Sequence, residues 1–429
     1  MREVTPSAPA DTQAAPVADD RIASLDVLRG IALFGILLVN MAHFAWPTMY
    51  LAGAHAGVSG SPLDRAVDML ILVVGQGKFF PLFSFLFGLG LAIQFLSWQK
   101  KGAPTTRLFL RRLSFLLLIG FLHATLIWAG DILFKYAALG LLFFAVLRLP
   151  PRYLLVGAAG ILGMPFLLGF LNVDTHLAAL TGMPQTPAEY QALAAQSMAA
   201  YGQGSFLEMT AQRFTDFSYR LLAWPYASGL FTILAMFCLG AYAGRKQLFR
   251  GPVTARFRQG LVVSVGLWAA CLGVFALSSA LPGVVPPQAT KVVKLVWNLS
   301  TTGIYITGVV LLLERTWWRD RLAPLASTGR MALTNYLLQS VLATAVFYGT
   351  GLYGRLGSAA CLGVTVAIFA VQVLVSRHWM QRFRFGPVEW CWRWVTYGKR
   401  PPMRRPAPAS RPVTDLGTAR PTTPTSLTG

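Results

Sequence analysis

The chain has 429 residues, of which 55% are hydrophobic and only 12% are charged, and its mean hydropathy is +0.54. A soluble protein of this length usually divides into two or three domains with a larger polar surface. The composition excludes that arrangement and predicts that lipid covers part of the protein. Apolar segments follow one another from Leu25 to Val375, which predicts one membrane domain.

The net charge of +21 is unevenly distributed along the chain. Lysine and arginine gather in alternate loops between apolar segments and near the C-terminal end, a pattern typical of cytoplasmic membrane loops rather than of a nucleic-acid surface. The four cysteines are too far apart for a disulfide framework or a metal site, and we expect them to be small core residues. They are Cys238, Cys271, Cys361 and Cys391.

Apolar stretches of about 20 residues predict ten membrane-spanning helices. Residues 1–24, which precede them, are rich in Pro, Ala and Asp and are expected to be a disordered leader. A short helix near 63–76 is expected to lead into the second span. The predicted spans lie near 26–46, 79–97, 112–129, 132–148, 152–173, 226–244, 259–281, 293–314, 331–350 and 356–375.

Three basic loops, 98–112, 245–258 and 315–330, fix the predicted orientation. Placing all three in the cytoplasm satisfies every crossing in turn and leaves both termini cytoplasmic. Residues 47–64 and 174–222 then face outward, and the second segment is expected to cap the outer face as amphipathic helices. The predicted fold is an all-α, polytopic integral membrane helical bundle of about ten transmembrane helices.

The predicted transmembrane domain covers residues 25–380, and an aromatic and basic segment follows at 381–403. Pro387 suits the start of a helix there, and the mixture of tryptophan with arginine and lysine is typical of an anchor at the inner headgroup layer. Residues 404–429 are expected to form a disordered tail.

Polar side chains inside the spans are costly in hydrocarbon, so they are the candidate functional residues. In the first span, Asp26, Arg29, Asn40 and His43 fall within an arc of roughly 100°. This stripe is either a substrate-binding face, or an Asp26–Arg29 pair at the inner interface with Asn40 bonding a neighbouring helix.

Two further segments carry polar residues with structural alternatives. Lys78 in GQGKFFPLFSFLFGLG is expected either to extend outward to the interface or to act as an electrostatic clamp on an anionic or carbonyl group. In GRMALTNYLLQS, Asn335 and Gln339 share one helix face and Arg330 lies at the inner end. Hydrogen bonding between helices is the leading interpretation there, with substrate binding as the alternative.

The densest candidate site is IGFLHATLIWAGDILFKYAALG, which contains His123, Asp131, Lys135 and Tyr136. Asp131 is placed to cap the next helix. A histidine within a span, close in sequence to an aspartate, also suits a general base with its orienting carboxylate. The sequence contains no GxxxxGK[ST], HExxH, GxSxG or CxxC pair, so it predicts neither a metal site nor a tightly bound cofactor.

Several blocks together resemble the YeiB-like family of bacterial membrane proteins. They are SLDVLRGIALFGILLVNM, GKFFPLFSFLFGLG, RRLSFLLLIGFLHATLIWAGDILFKYAALGLL, GRMALTNYLLQS and RFRFGPVEWCWRWVTYGKRPPMRR, and they span roughly residues 24–405 in the family's order. The resemblance implies a multi-pass protein of the bacterial plasma (inner) membrane. It implies no activity, because the C-terminal half is known only as a domain of unknown function.

The LRGIAL…N opening of the first span is also distantly similar to heparan-α-glucosaminide N-acetyltransferase and the transmembrane acyltransferase superfamily. That similarity implies transfer of an acyl group from cytoplasmic acyl-CoA to a glycan or other acceptor across the membrane. At eleven residues after Arg29, where the bacterial O-acyltransferase branch has a histidine, this sequence has Asn40. That branch's catalytic assignment therefore does not transfer. His43 and His55 lie nearby but outside the motif position, and the GFLHA block points to His123.

The working hypothesis is acyl transfer to an extracytoplasmic hydroxyl or amine. His123 would be general base or acyl carrier and Asp131 its orienter, while Lys78 and Tyr136 would stabilise oxyanion charge. Arg29 and Arg330 would contact the phosphates of the CoA donor. A transporter or lipid exporter that uses the same polar cavity is the competing hypothesis, and a structural assembly partner is a third. The sequence leaves a homo-oligomer open.

Overall fold

The computed structural model consists of helices joined by short turns over the residues that it describes. These residues are 23–51, 60–171, 173, 184, 186–222, 224–250 and 254–405. Residues 1–22 of the predicted leader, most of the predicted C-terminal tail and His55 lie outside them, whereas Ala23 and Ser24 already belong to the first helix.

The helices follow the predicted order of apolar segments. In chain order they are α1 (Ala23–Ala45), α2 (Pro62–Leu70), α3 (Phe79–Lys100), α4 (Thr105–Leu126), α5 (Leu133–Val146), α6 (Pro151–Phe170), α7 (Pro187–Gln203), α8 (Phe206–Leu222), α9 (Trp224–Arg245), α10 (Thr254–Ala280), α11 (Pro287–Leu312), α12 (Thr316–Arg330), α13 (Ala332–Phe347), α14 (Ser358–Arg382) and α15 (Pro387–Tyr397).

Each of the ten predicted spans coincides with a helix. Seven helical segments in the described part of the chain are long and apolar enough to cross a membrane: α1, α4, α6, α10, α11, α14 and the continuous segment Pro62–Lys100, which contains α2 and α3. Three shorter apolar helices, α5, the Gly229–Arg245 part of α9, and α13, correspond to the other predicted spans. The structure therefore has the features of a polytopic helical bundle.

The short helix predicted near 63–76 is confirmed as α2. Ser61 forms a capping box with Asp64, Pro62 occupies the first turn, and a π-helical turn at Ile71–Gly75 continues α2 towards α3. Asp64 and Asp68 then reach the start of α14, where Asp64 accepts a hydrogen bond from the Ala359 N–H and Asp68 from the Ser358 hydroxyl. This segment thereby ties α14 to α2.

The prediction of a basic loop at 315–330 is wrong in one respect, because most of this range forms the helix α12. Leu322 and Leu325 pack against the core, so tertiary burial favours a helix that charge alone did not predict. Two glycines allow α12 to approach α1 closely. A Cβ at Gly30 would overlap the carbonyl of Leu325, and one at Gly329 would overlap the carbonyl of Asp26. Small residues at helix contacts are typical of membrane bundles.

The core of the bundle is built around α1 and α3. α1 packs against α3, α12, α13 and α14, while α3 packs against α9, where Gly88 and Gly240 allow close backbone approach. In contrast, α6 and α10 expose most of their apolar side chains. Such surfaces are expected where helices face hydrocarbon. α15 begins at Pro387, as predicted, and packs against α4 and α13.

Candidate functional site

A cavity of about 220 Å³ is lined by residues of α1, α3, α4, α5, α12, α13 and α15. Four arginines from four different helices line it, namely Arg29, Arg112, Arg330 and Arg393. Glu389 is the acidic residue among the described residues that line the cavity. The lining is therefore strongly cationic, and we call this region the arginine end of the bundle.

The arginines are held by the helices around them. Arg29 donates to the Asp26 carboxylate at 2.8 Å, which confirms the pair considered for the first span. The Arg112 guanidinium lies 3.5 Å from the centre of the Trp392 ring, and the Trp392 indole N–H donates to the carbonyl of Arg112 at 2.8 Å. This cation–π contact fixes the start of α4 against α15 while keeping a positive charge at the cavity.

Glu389 lines the cavity, and its carboxylate is hydrogen-bonded to the start of α13. Its carboxylate accepts hydrogen bonds from the N–H groups of Leu333 and Thr334 at 2.7 and 3.0 Å, and from the Thr334 hydroxyl at 2.6 Å. The first N–H groups of a helix lack partners within it, so Glu389 acts as a cap supplied by α15. Burial raises the pKa of Glu389, and these hydrogen bonds act in the opposite direction.

Apolar side chains and two tyrosines complete the lining of the cavity. Tyr136 shares a hydrogen bond with the Ser84 hydroxyl at 2.7 Å and donates to the carbonyl of Phe80 at 3.2 Å. Tyr336 lies beside it on α13. The apolar part of the lining comprises Phe83, Leu86, Phe87, Leu91, Leu116 and Leu133. The cavity thus combines positive charge with apolar surface in its lining.

His123 and Asp131 form a buried pair behind Tyr336, which we call the histidine end. The distance between His123 Nδ1 and Asp131 Oδ1 is 2.8 Å, and the other carboxylate oxygen accepts the N–H of Phe134 at 2.6 Å. Asp131 therefore caps α5 and orients His123 at once, as the sequence predicted. Tyr336 accepts the N–H of Ile132 at 3.2 Å, and its hydroxyl lies 3.5 Å from Asp131.

The second ring nitrogen of His123 is chemically available. Nε2 is buried and has no hydrogen-bond partner among the described residues. Because Nδ1 faces a carboxylate, the expected tautomer carries its proton on Nδ1 and its lone pair on Nε2. The ring centres of His123 and Tyr336 are 5.4 Å apart. Tyr336 therefore touches both the cavity and the His123–Asp131 pair.

The structure places Lys78 elsewhere. Its ammonium donates to the carbonyl of Leu72 at 2.6 Å and lies 4.1 Å from the centre of the Trp297 ring, with none of the side chain exposed. The outward-extending interpretation is therefore wrong. Lys78 is also absent from the cavity lining, so the predicted oxyanion role beside Tyr136 lacks the geometry that it requires.

Asn335 and Gln339 join α13 to α14 by the hydrogen bonds that the interhelical interpretation predicts. Asn335 donates to the Ser376 hydroxyl, and Gln339 donates to Gln372, each at 2.9 Å. The Gln372 side chain in turn donates to the carbonyl of Asn335. Neither Asn335 nor Gln339 lines the arginine-lined cavity.

The predicted polar stripe on α1 is divided between the two ends of the helix. Arg29 lines the arginine-lined cavity, whereas His43 lines a separate small cavity of about 30 Å³ near Asp68 and Ser358. The His43 ring nitrogen Nδ1 is hydrogen-bonded to the Thr48 hydroxyl. Asp26 supports Arg29 from beside the cavity, and Asn40 lines neither of these two cavities. Arg29 and His43 therefore do not line a common cavity.

Sequence reasoning missed Arg112, Arg393 and Tyr336 as members of the cavity. Arg112 was counted with a basic loop, although α4 begins at Thr105 and already contains it. Arg393 was assigned to the interfacial anchor. Tyr336 directly follows Asn335 in the NYLLQ block. Its position beside the cavity depends on the contact between α13 and the start of α5, which the sequence does not show. No local pattern links positions so far apart in the chain.

Comparison with known proteins identifies relatives of nearly full length. A family described as "Protein of unknown function (DUF418)" matches residues 243–399. "Uncharacterized protein YxaH" of Bacillus subtilis is 36% identical over 403 residues, which cover 89% of this chain and 95% of that protein. "Uncharacterized protein YeiB" of Escherichia coli is 30% identical over 402 residues, which cover 88% and 96%. The resemblance found in the sequence blocks is confirmed, and the chain belongs to the YeiB-like family.

Proposed function

We propose that this protein is a membrane acyltransferase that moves an acyl group from cytoplasmic acyl-CoA to a hydroxyl or amine of an extracytoplasmic acceptor, such as a glycan. One observation carries the proposal: the cavity lined by four arginines is also lined by Tyr336, and the His123–Asp131 pair lies directly behind that residue. A site for an anionic donor and a candidate general base therefore lie on either side of one side chain.

The proposed orientation places the arginine end in the cytoplasm of a bacterial cell, at the plasma (inner) membrane. The basic loops before α4, before α10 and around α12 support this placement. Ten crossings, with α5, α9 and α13 as short spans, would leave both termini cytoplasmic. The histidine end would then lie towards the outer leaflet, on the acceptor's side.

The donor's phosphates would bind at Arg29 and Arg330, as the sequence suggested, together with Arg112 and Arg393. Guanidinium groups bind phosphate oxygens in a bidentate manner, and four of them around one cavity suit a ligand with several phosphates. The apolar part of the lining would receive the less polar arm of the donor and its acyl group. Tyr136 would place its hydroxyl near the thioester carbonyl.

In the proposed reaction, the acceptor oxygen or nitrogen attacks the thioester carbonyl while His123 Nε2 takes its proton. The new ester or amide bond forms as the carbon–sulfur bond breaks. The departing CoA thiolate takes a proton from the cytoplasm, and His123 releases the acceptor's proton to the outer side, which restores the free base for the next turnover. Asp131 keeps His123 in the required tautomer. Tyr336 stands between His123 and the cavity, so its ring is the group that must move for the thioester to reach the base.

Donor binding tests this proposal at the arginine end. Arg29→Lys and Arg330→Lys keep the positive charge but lose the bidentate geometry, so we expect each to weaken acyl-CoA binding by about tenfold, on the order of 1.4 kcal/mol. The measurement is equilibrium binding of radiolabelled acyl-CoA to purified protein in lipid nanodiscs. Arg107→Lys, at an exposed position of the same α4 that carries Arg112, is the matched control and should leave affinity unchanged.

Unchanged affinity in both variants would remove the donor site from this cavity. Binding that responds to the substitutions, without any transfer of the acyl group to acceptors in membrane extracts, would instead favour the transporter hypothesis.

A further inference from the structure

The helix α8 has its polarity reversed relative to a helix on a water-exposed surface. Its exposed side includes Leu207, Phe214 and Leu222, which are 77%, 54% and 42% exposed. At 100° per residue these three positions lie within an arc of roughly 80°. The side chains on the opposite face are buried and mostly polar, namely Gln212, Arg213, Asp216, Tyr219 and Arg220.

The buried polar face of α8 is hydrogen-bonded to the rest of the protein. Asp216 accepts hydrogen bonds from the hydroxyls of Tyr50 and Tyr201 at 2.8 and 2.7 Å, and from the Gln212 amide at 2.7 Å. A helix on an aqueous surface buries its apolar stripe and exposes its charges. Glu208, in the first turn, is the exposed charged residue of α8, and the other charged side chains of this helix are buried. The outer surface beyond that turn is therefore mostly apolar and suited to an apolar surrounding.

The preceding helix provides a contrast within the same predicted outer segment. The exposed positions of α7 include Gln191 and Gln196, whereas Ala194 and Tyr201 are buried. This is the ordinary arrangement for a helix next to water. The two helices are separated by only two residues, so the change of polarity is local to α8.

The exposed face of α8 continues an apolar surface on α4. Phe217 of α8 packs with Ala124 and Ala129, and its ring centre lies 6.5 Å from that of Phe121. Phe121 is itself partly exposed and lies beside other exposed apolar residues of α4, namely Leu118, Leu122 and Leu126. Because α4 is one of the candidate membrane spans, this surface is expected to face hydrocarbon.

We propose that α8 lies in the outer leaflet with its apolar face against the acyl chains of membrane lipids, and that it is the lipid-facing wall of the histidine end. The carbonyl of Arg220 accepts a hydrogen bond from Lys135 at 3.1 Å, which fixes α8 to the start of α5 beside Asp131. Lipid and the His123–Asp131 pair thus lie on opposite sides of α8 and α4. Of the two helices in the outer cap predicted for residues 174–222, α7 is then the one that faces water. This proposal does not depend on acyl transfer.

Spin labelling of the full chain tests where α8 lies. In a background with the four native cysteines replaced by alanine, single cysteines at Phe214, Leu207 and Gln196 are labelled with a nitroxide. The protein is reconstituted in phosphatidylethanolamine and phosphatidylglycerol vesicles. Collisions with oxygen, which concentrates in hydrocarbon, are compared with collisions with a water-soluble nickel chelate. We expect a several-fold higher ratio of oxygen to nickel accessibility for Phe214→Cys and Leu207→Cys than for Gln196→Cys on α7.

Nickel accessibility at Phe214→Cys equal to that at Gln196→Cys would overturn the proposal, because α8 would then face water. Low accessibility to both reagents would also overturn it, since a second protein chain would then cover the face.

A charge substitution gives an independent result if the cysteine-free chain folds poorly. With native cysteines retained, Phe214→Arg should lower the thermal midpoint in vesicles clearly more than Gln196→Arg does, because a charge facing hydrocarbon is costly. Equal tolerance of both substitutions would contradict a lipid-facing α8.

Discussion

Charged residues at the arginine end surround an open cavity, whereas those at the histidine end are packed into hydrogen bonds. Arg29 and Arg112 are held from one side and still line the cavity, with Asp26 and Trp392 as their supports. Asp131, in contrast, has both carboxylate oxygens occupied. An open cationic cavity is suited to bind a ligand, and a saturated carboxylate is suited to orient a neighbouring side chain.

Substitutions at the arginine end and at the histidine end should affect different steps. Under the proposed function, substitutions at the arginine end should change the affinity for acyl-CoA. Substitutions at the histidine end should change the rate of acyl transfer from bound acyl-CoA. A single substitution that altered both quantities equally would indicate a structural effect instead.

The largest expected effect is that of His123→Ala. Loss of a general base typically costs about a hundredfold or more in turnover, so we expect at least that loss per folded molecule with little change in donor affinity. Acyl transfer and the folded fraction are measured on the same preparation. Thr125→Ala is the matched control, because Thr125 is also buried near the end of α4 and its hydroxyl bonds only within that helix.

Full specific activity in folded His123→Ala protein would exclude the catalytic role and would leave the transporter hypothesis ahead. Activity that follows the amount of folded protein, with a normal rate per folded molecule, would identify His123 as a structural residue.

Asp131→Asn should have a smaller effect that distinguishes orientation from catalysis. The amide oxygen still caps α5 at Phe134, but the interaction with His123 Nδ1 loses its charge. We expect roughly a tenfold loss of turnover, the lower range for a residue that orients another. An unchanged rate per folded molecule would assign Asp131 to capping alone.

The order of helices could be predicted from the sequence because apolar length is a local property. The ten predicted segments all became helices, and Asp131 was correctly placed as a cap close to His123. The helix α12 was not predicted, since its apolar residues are few and gain their burial only when the helix packs against α1 and α14. The burial of Lys78 could not be predicted from the sequence. Of its partners Leu72 and Trp297, the second belongs to α11 and lies far away in the chain.

The candidate site could be predicted only in part, for the same reason. Arg29 and Arg330 were singled out individually, but their meeting with Arg112 and Arg393 requires four helices to converge. The reversed polarity of α8 also could not be predicted from the sequence. Its composition is amphipathic in either orientation, and only the hydrogen bonds of Asp216 determine which face points inward.

The smallest expected effect concerns the pH dependence of stability at the buried face of α8, which lies outside the candidate spans. Burial raises the pKa of Asp216, although hydrogen bonds from Tyr201, Tyr50 and Gln212 act in the opposite direction. A raised pKa means that the folded protein binds this proton more tightly than the unfolded chain. The stabilisation is therefore complete below the unfolded pKa and is lost as pH rises through the folded pKa.

Thermal midpoints between acidic and neutral pH, measured in nanodiscs, check the sign. The midpoint of the unsubstituted protein should fall more steeply with rising pH than that of Asp216→Asn, because the asparagine does not titrate. Burial also raises the pKa of Glu389, but Glu389 contributes equally to both proteins and cancels in the difference.

Glu208→Gln on the same helix is the matched control of opposite sign. Hydrogen bonds from the backbone and side chain of Ser205 lower the pKa of Glu208, so its stabilisation is lost as pH falls. Parallel curves for the unsubstituted protein and Asp216→Asn would show that Asp216 does not hold a raised pKa in the folded protein.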